Sequence, residues 1–202
     1  MRVILVRHGD AVNSNGKFHG LVDNPLTDEG RKEADEIADT VKQFNPSMIY
    51  TSPLSRARET AKIIGSKINV PVQSNKALLP LDLGSFVGKP IEQNLDKVRH
   101  YLDNPNERIP NGGTVNQWAR QYLPFFEQLH KNKSDQNVVF VTHGRNIILT
   151  KAYLKVKGRA PAFDKSVLLN NDKSTEHGGY AVAEPNGNFS IETPKKVMAG
   201  QS

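Results

Sequence analysis

The 202-residue sequence contains no cysteine. Disulfides, a thiolate nucleophile and cysteine-ligated metals are therefore excluded, and the composition suits a reducing compartment. No apolar run approaches the roughly 20 residues that a membrane-spanning helix needs. Met1-Arg2 leads straight into a short apolar run, with neither the length nor the cleavage site of a signal peptide. The expected protein is soluble and cytoplasmic, without a membrane partner. Recognised nucleic-acid motifs are also missing. The 27 Lys and Arg residues outnumber 21 Asp and Glu, for a net charge of +6, but they are dispersed along the chain. That reads as a basic soluble surface with an attraction for anionic substrates, and no nucleic-acid partner is expected. Low-complexity segments are absent, and so are internal repeats, apart from one short recurrence described below.

A hydrophobic content of 37% and a charged content of 24% are ordinary for a globular domain. The length supplies one good core, so residues 1–193 are read as a single domain and 194–202 as a patternless, flexible tail. Met1–Val6 reads as a strand, and 10–25 as a long polar loop of the kind that is usually functional. Thr27 caps a helix to about Phe44, with Ala34, Ile37, Ala38 and Val41 on one face. A strand at Met48–Thr51 precedes "TSPLSRARETAKIIG", in which Ser52 reads as the N-cap and Pro53 as the first helical residue. Strands are expected at Val70–Gln73, Asn137–Thr142, Ser166–Leu169, Gly179–Ala183 and Phe189–Glu192, with an extended piece at Ala77–Leu79. "EPNGN" makes the last two strands a hairpin. Further helices are expected over 89–102, over 115–131 with a kink or boundary at Pro124, and over 145–155. Trp118, Tyr122 and Phe125 on one helix read as core. Alternating strands and helices predict an α/β three-layer sandwich: a mostly parallel central sheet with helices on both faces.

The recurrence is strand–His–Gly. "ILVRHGD" ends its strand in Arg7-His8-Gly9, and "VVFVTHGR" ends in Thr142-His143-Gly144. Open α/β sheets bind ligands at the carboxyl ends of their strands. Gly9 and Gly144 permit a sharp turn and close ligand approach there, and the helix after Gly144 presents an anion-binding N-terminus. Arg56, in the first turn of its helix, reaches back toward the same sheet edge. Two guanidinium forks match the oxygens of a phosphoryl group, and a neutral imidazole can attack phosphorus. Arg58 and Arg99 read as exposed. His19 and His177 read either as rim residues or as plain loop histidines. A metal site could be drawn from His8, Asp10, Asp82 and His143, but arginines beside a cation are electrostatically awkward, and no HExxH-type spacing occurs. Neither metal nor cofactor is expected.

"RHG" after the first strand, "DNPLTDEG", "TSPLSRARETA" and "VTHG" come in an order and spacing that resemble the histidine phosphatase superfamily, the phosphoglycerate mutase-like proteins. The resemblance runs from Arg2 to about Leu149. It implies a phosphomonoesterase in which His8 is phosphorylated, with Arg7, Arg56 and His143 forming the phosphate pocket. It also implies that Asn13 helps hold the phosphoryl group, given a one-residue deletion before it, and that Thr142 stands where serine is common. Two features depart from the family pattern. The glutamate that acts as general acid is replaced by Pro80, which leaves Asp82 as the nearest carboxyl and candidate donor. A Gly-Glu-Ser motif reads Gly112-Gly113-Thr114. These losses weigh against a phosphoglycerate mutase-type phosphotransferase. They leave a non-catalytic binder of phospho-ligands as the alternative from another class. A phosphorylated small molecule or a phosphoprotein is the expected partner. The natural substrate and the oligomeric state are not encoded in any pattern.

Overall fold

The computed structural model describes residues 1–13, 16–132, 135–156, 162–169 and 176–192. The tail expected from residue 194 onward lies outside these. The strands are β1 (Val3–Arg7), β2 (Pro46–Thr51), β3 (Val72–Ser74), β4 (Asn137–Thr142), β5 (Tyr180–Ala183) and β6 (Phe189–Glu192). They form one six-stranded sheet in the order β3-β2-β4-β1-β5-β6. β1 through β4 are mutually parallel, while β5 runs antiparallel to β1 and forms the expected hairpin with β6.

The helices are α1 (Asp28–Lys42), α2 (Ser55–Ile68), α3 (Ile91–Asp103), α4 (Val115–His130), α5 (Gly144–Val156) and α6 (Lys165–Leu169). β1 shows why both faces of the sheet must be covered. Val3, Ile4, Leu5 and Val6 are all fully buried, and their side chains alternate between two cores. Ile4 and Val6 join Ile37 and Val41 of α1 and Ala61 and Ile64 of α2. Val3 and Leu5 join Trp118 and Tyr122 of α4 and Leu149 of α5. Each such buried aliphatic contributes about 1.5–3 kcal/mol of transfer free energy. The result is the three-layer sandwich that the alternation predicts.

Four local expectations are corrected. Ser166–Leu169 is helical, not extended: the Asp164 carboxylate accepts from Ser166 N–H at 2.9 Å and caps a short turn, and a brief apolar run cannot by itself distinguish the two states. Ala77–Leu79 is likewise not extended, because Lys76–Leu78 forms a 3-10 turn capped by Asn75. α4 passes through Pro124 without a boundary, forgoing one backbone bond, and is anchored by a Thr114–Gln117 capping box. Ser52 does not cap α2. The helix starts at Ser55, whose N–H is taken by the Asp23 carboxylate at 2.5 Å, so a residue of the 10–25 loop caps it. Ser52 is left available for the site described next.

Candidate active site

β1 and β4 pair in parallel with Arg7 beside Thr142, so the residues that follow, His8 and His143, leave the sheet at the same edge. Their ring centroids lie 5.2 Å apart. Arg56, in the first turn of α2 and only 2% exposed, spans both. Its Nε donates to His8 Nε2 at 3.3 Å, and one terminal nitrogen approaches His143 Nδ1 at 3.5 Å. Its other donors are satisfied by the Val22 and Gly20 carbonyls at 2.6 and 3.0 Å. The 10–25 loop is thereby bound to the start of α2 through both Arg56 and Asp23.

The hydrogen bonds fix the tautomers. His8 Nδ1 sits 2.8 Å from the Gly9 carbonyl, which can only accept. Nδ1 therefore carries the proton, and Nε2 of the neutral ring carries the lone pair. For His143, Arg56 can only donate to Nδ1, so Nε2–H donates to Ser52 Oγ at 2.9 Å. Burial holds the pKa of both rings well below the ordinary histidine value. For His8 the charges of His143, Arg56 and Arg7 add to that shift. For His143, Arg56 and then Arg7 add to it. Burial also lowers Arg56, to about 10, so it remains charged.

His177, in the turn before β5, completes the cluster. Its ring lies 5.5 Å from that of His8. Arg7 donates to His177 Nε2 at 2.9 Å, which leaves Nδ1–H facing the Asp10 carboxylate at 3.6 Å. Burial and the Arg7 charge bring His177 down to about 4. The sequence offered no local signal that would set His177 above the other loop histidines. The antiparallel pairing of β5 with β1 carries it there, because residues before β5 meet residues after β1.

A cavity of about 520 Å³ opens onto these groups. Arg7, His8, Arg56, His143 and His177 line one part of it, with Gly144 and His19 also on its wall. The remaining expected residues are placed as follows. Asp82 is not on that wall: its Oδ1 accepts from Gly84 N–H at 3.1 Å, and its carbonyl accepts from Gly113 N–H, so it braces a turn. Asn13 lies exposed outside the lining at a φ of 64°, a left-handed position that asparagine tolerates. Thr142 is buried and also off the wall. Its hydroxyl donates to the Leu78 carbonyl, and its own carbonyl accepts from His8 N–H at 3.0 Å, so it positions the backbone of His8. Gly9 is required by a close approach to Gly30, since a Cβ there would stand 2.3 Å from the Gly30 carbonyl oxygen. Arg99, expected in solvent, is partly buried and lines the cavity.

Among the described residues, no group of three or more His, Asp or Glu side chains is arranged to hold a metal ion. No Asp or Glu lines the cavity among them either. What remains is a nucleophile-ready imidazole flanked by two guanidinium groups and a second imidazole, an arrangement suited to a tetrahedral oxyanion.

Comparison with known proteins agrees with this chemistry. The profile of the histidine phosphatase superfamily (branch 1) matches residues 3–169. A protein of Bacillus subtilis named as an uncharacterized phosphatase, PhoE, is 30% identical over 171 residues, covering 83% of each chain. A probable phosphoglycerate mutase of Yersinia enterocolitica is 30% identical over 150 residues, covering 71% of this chain and 70% of its own. A mycobacterial glucosyl-3-phosphoglycerate phosphatase solved with vanadate superposes with a TM-score of 0.75 at 22% identity, over 95% of this chain and 97% of that one.

Proposed function

Because this chain belongs to the histidine phosphatase superfamily, we propose that it is a metal-independent phosphomonoesterase working through a phosphohistidine on His8. The observation that carries the reading is the state of His8. Its Nδ1–H is tied to the Gly9 carbonyl, its Nε2 lone pair faces the Arg56 guanidinium, and its surroundings keep the ring neutral.

Nε2 attacks phosphorus while the Arg7 and Arg56 guanidiniums neutralise the non-bridging oxygens, with neutral His143 packed beside them. The N–P bond forms as the bond to the leaving oxygen breaks, and that oxygen takes a proton from water. Water then attacks phosphorus, the N–P bond breaks, and inorganic phosphate leaves with His8 neutral again. Hydrolysis needs only water access. A mutase must in addition retain the phosphoryl group for a second acceptor, and the two glutamates missing at Pro80 and Gly113 weigh against that.

His8→Ala should lower turnover of p-nitrophenyl phosphate by about 10³-fold or more, because no covalent route remains. EDTA should leave the wild-type rate unchanged. Substantial turnover by the alanine variant, or a requirement for a divalent ion, refutes the reading. A wild-type protein that binds inorganic phosphate but releases none from any ester would make it a binder.

A further inference from the structure

The cavity holds more positive charge than one phosphoryl group needs. Beyond Arg7 and Arg56, Arg145, Arg99 and Lys17 also line it, and no carboxylate among the described residues does. Arg145 follows His143-Gly144 at the start of α5, and its guanidinium makes one long hydrogen bond, 3.5 Å to the Leu168 carbonyl on α6. No acid pairs with it among the described residues. Arg99 comes from α3, where it pairs with the exposed Asp96 at 3.0 Å, and its charge faces Arg145. Burial, and after it Arg99, lowers the Arg145 pKa, so the two cations repel each other in a partly buried place. Apolar side chains, among them Leu83, Ile91, Leu95 and Ile148, make up the rest of the wall.

Two like charges on one cavity wall that carries no carboxylate among the described residues are costly when it is empty. The cost is relieved when an anion arrives. We propose that Arg145 and Arg99, with Lys17 at the mouth, form a second anion subsite. The substrate is then a phosphomonoester whose leaving group carries its own terminal anion on a largely apolar spacer. This rests on the phosphatase reading and narrows it. A second anionic group anchored away from phosphorus binds ground state and transition state alike, so its loss appears mainly in KM.

The test uses ω-phosphorylated carboxylic acids of two to six carbons, the monophosphates of diols of the same lengths, and the corresponding bisphosphates. Wild-type protein should prefer the best carboxylate over its diol counterpart by about tenfold or more in kcat/KM, chiefly through KM. The bisphosphate arm separates a carboxylate-preferring from a phosphate-preferring subsite; a preference for either anion over the diol supports the proposal. Arg145→Gln, and separately Arg99→Gln, should lower that anion-over-neutral ratio about tenfold, with Arg145→Lys restoring part of it. Wild-type protein that treats anionic and neutral leaving groups alike overturns the subsite without any variant. So does a ratio unmoved in both glutamine variants. If p-nitrophenyl phosphate turnover depends on His8 while these ratios stay flat, the phosphatase reading survives and the subsite fails.

Discussion

Gly30→Ala tests how the fold holds His8. Gly30 is the third residue of α1, and replacing glycine by alanine inside a helix ordinarily stabilises by about 1 kcal/mol. Here the sign should reverse. A Cβ at Gly30 would stand 2.0 Å from the Asp10 carbonyl oxygen and 2.8 Å from its nitrogen, both backbone atoms that cannot rotate aside. That carbonyl also accepts from Thr27 N–H at 3.0 Å, the bond that seats the N-cap of α1, while Gly9 presses on Gly30 from the same strand end. Overpacking costs about 1–3 kcal/mol, and a weakened hydrogen bond adds about 1. Set against the helix gain, the net loss is about 1–3 kcal/mol. For a chain of this size each kcal/mol moves the melting temperature by about 2–4 °C, so circular dichroism should register a fall of about 2–12 °C. Displacing Asp10 also displaces His8. A shift of about 1 Å in a reacting group can cost 10²-fold in rate, so kcat for p-nitrophenyl phosphate should fall by about tenfold or more. A variant that melts at or above the wild-type temperature would refute the reasoning, because helix propensity would then have outweighed the close contact.

Asp82→Asn keeps an acceptor for Gly84 N–H, so turnover of both aryl and alkyl phosphates should stay within about twofold of wild type. A selective loss on alkyl phosphates would restore proton donation to Asp82. Stability should fall as pH drops below about 6.5, where the unfolded histidines begin to bind protons while His8, His143 and His177 in the fold do not. For His177, which titrates near 4, this amounts to about 1.4 kcal/mol per pH unit between those limits. A melting temperature that rises from pH 7 to pH 5 would contradict the directions given for these rings.

Which parts were legible follows from where each signal resides. Strand–His–Gly places chemistry by chain continuity: once β1 and β4 are strands of one parallel sheet, His8 and His143 share an edge, and Arg56 in the first turn of α2 joins them. His177 depends on strand order, namely that β5 lies antiparallel beside β1, and neither periodicity nor turn chemistry encodes that neighbour. Asp82 is the carboxyl nearest in sequence to the missing glutamate. Its carboxylate is instead drawn into the turn that packs Gly84 against the 110–112 segment, where a Cβ on Gly84 would meet the Pro110 carbonyl at 2.3 Å. Ser52 misled in the opposite sense. A serine before proline reads as a cap, but the cap comes from Asp23 across the loop, and the hydroxyl orients His143.

The partners of Arg56 explain why the cluster serves an anion. A buried guanidinium paired with a carboxylate would be satisfied and neutralised together, leaving little field for a ligand. Here carbonyl oxygens of Val22 and Gly20 satisfy its donors while leaving its charge uncompensated at close range. The nearest acidic influence, Asp23, is engaged with Ser55 at the cap of α2. The 10–25 loop therefore does two separable things. Its carbonyls hold Arg56 in register with His8 Nε2, and its Asp23 carboxylate fixes the helix that carries Arg56. Both imidazoles stay neutral chiefly because they are buried, and that uncompensated charge adds to the effect. The positive field that adds to the suppression of His8 protonation is the field a phosphoryl dianion would neutralise, so in the proposed mechanism one arrangement of charge favours both the neutral ring and its target.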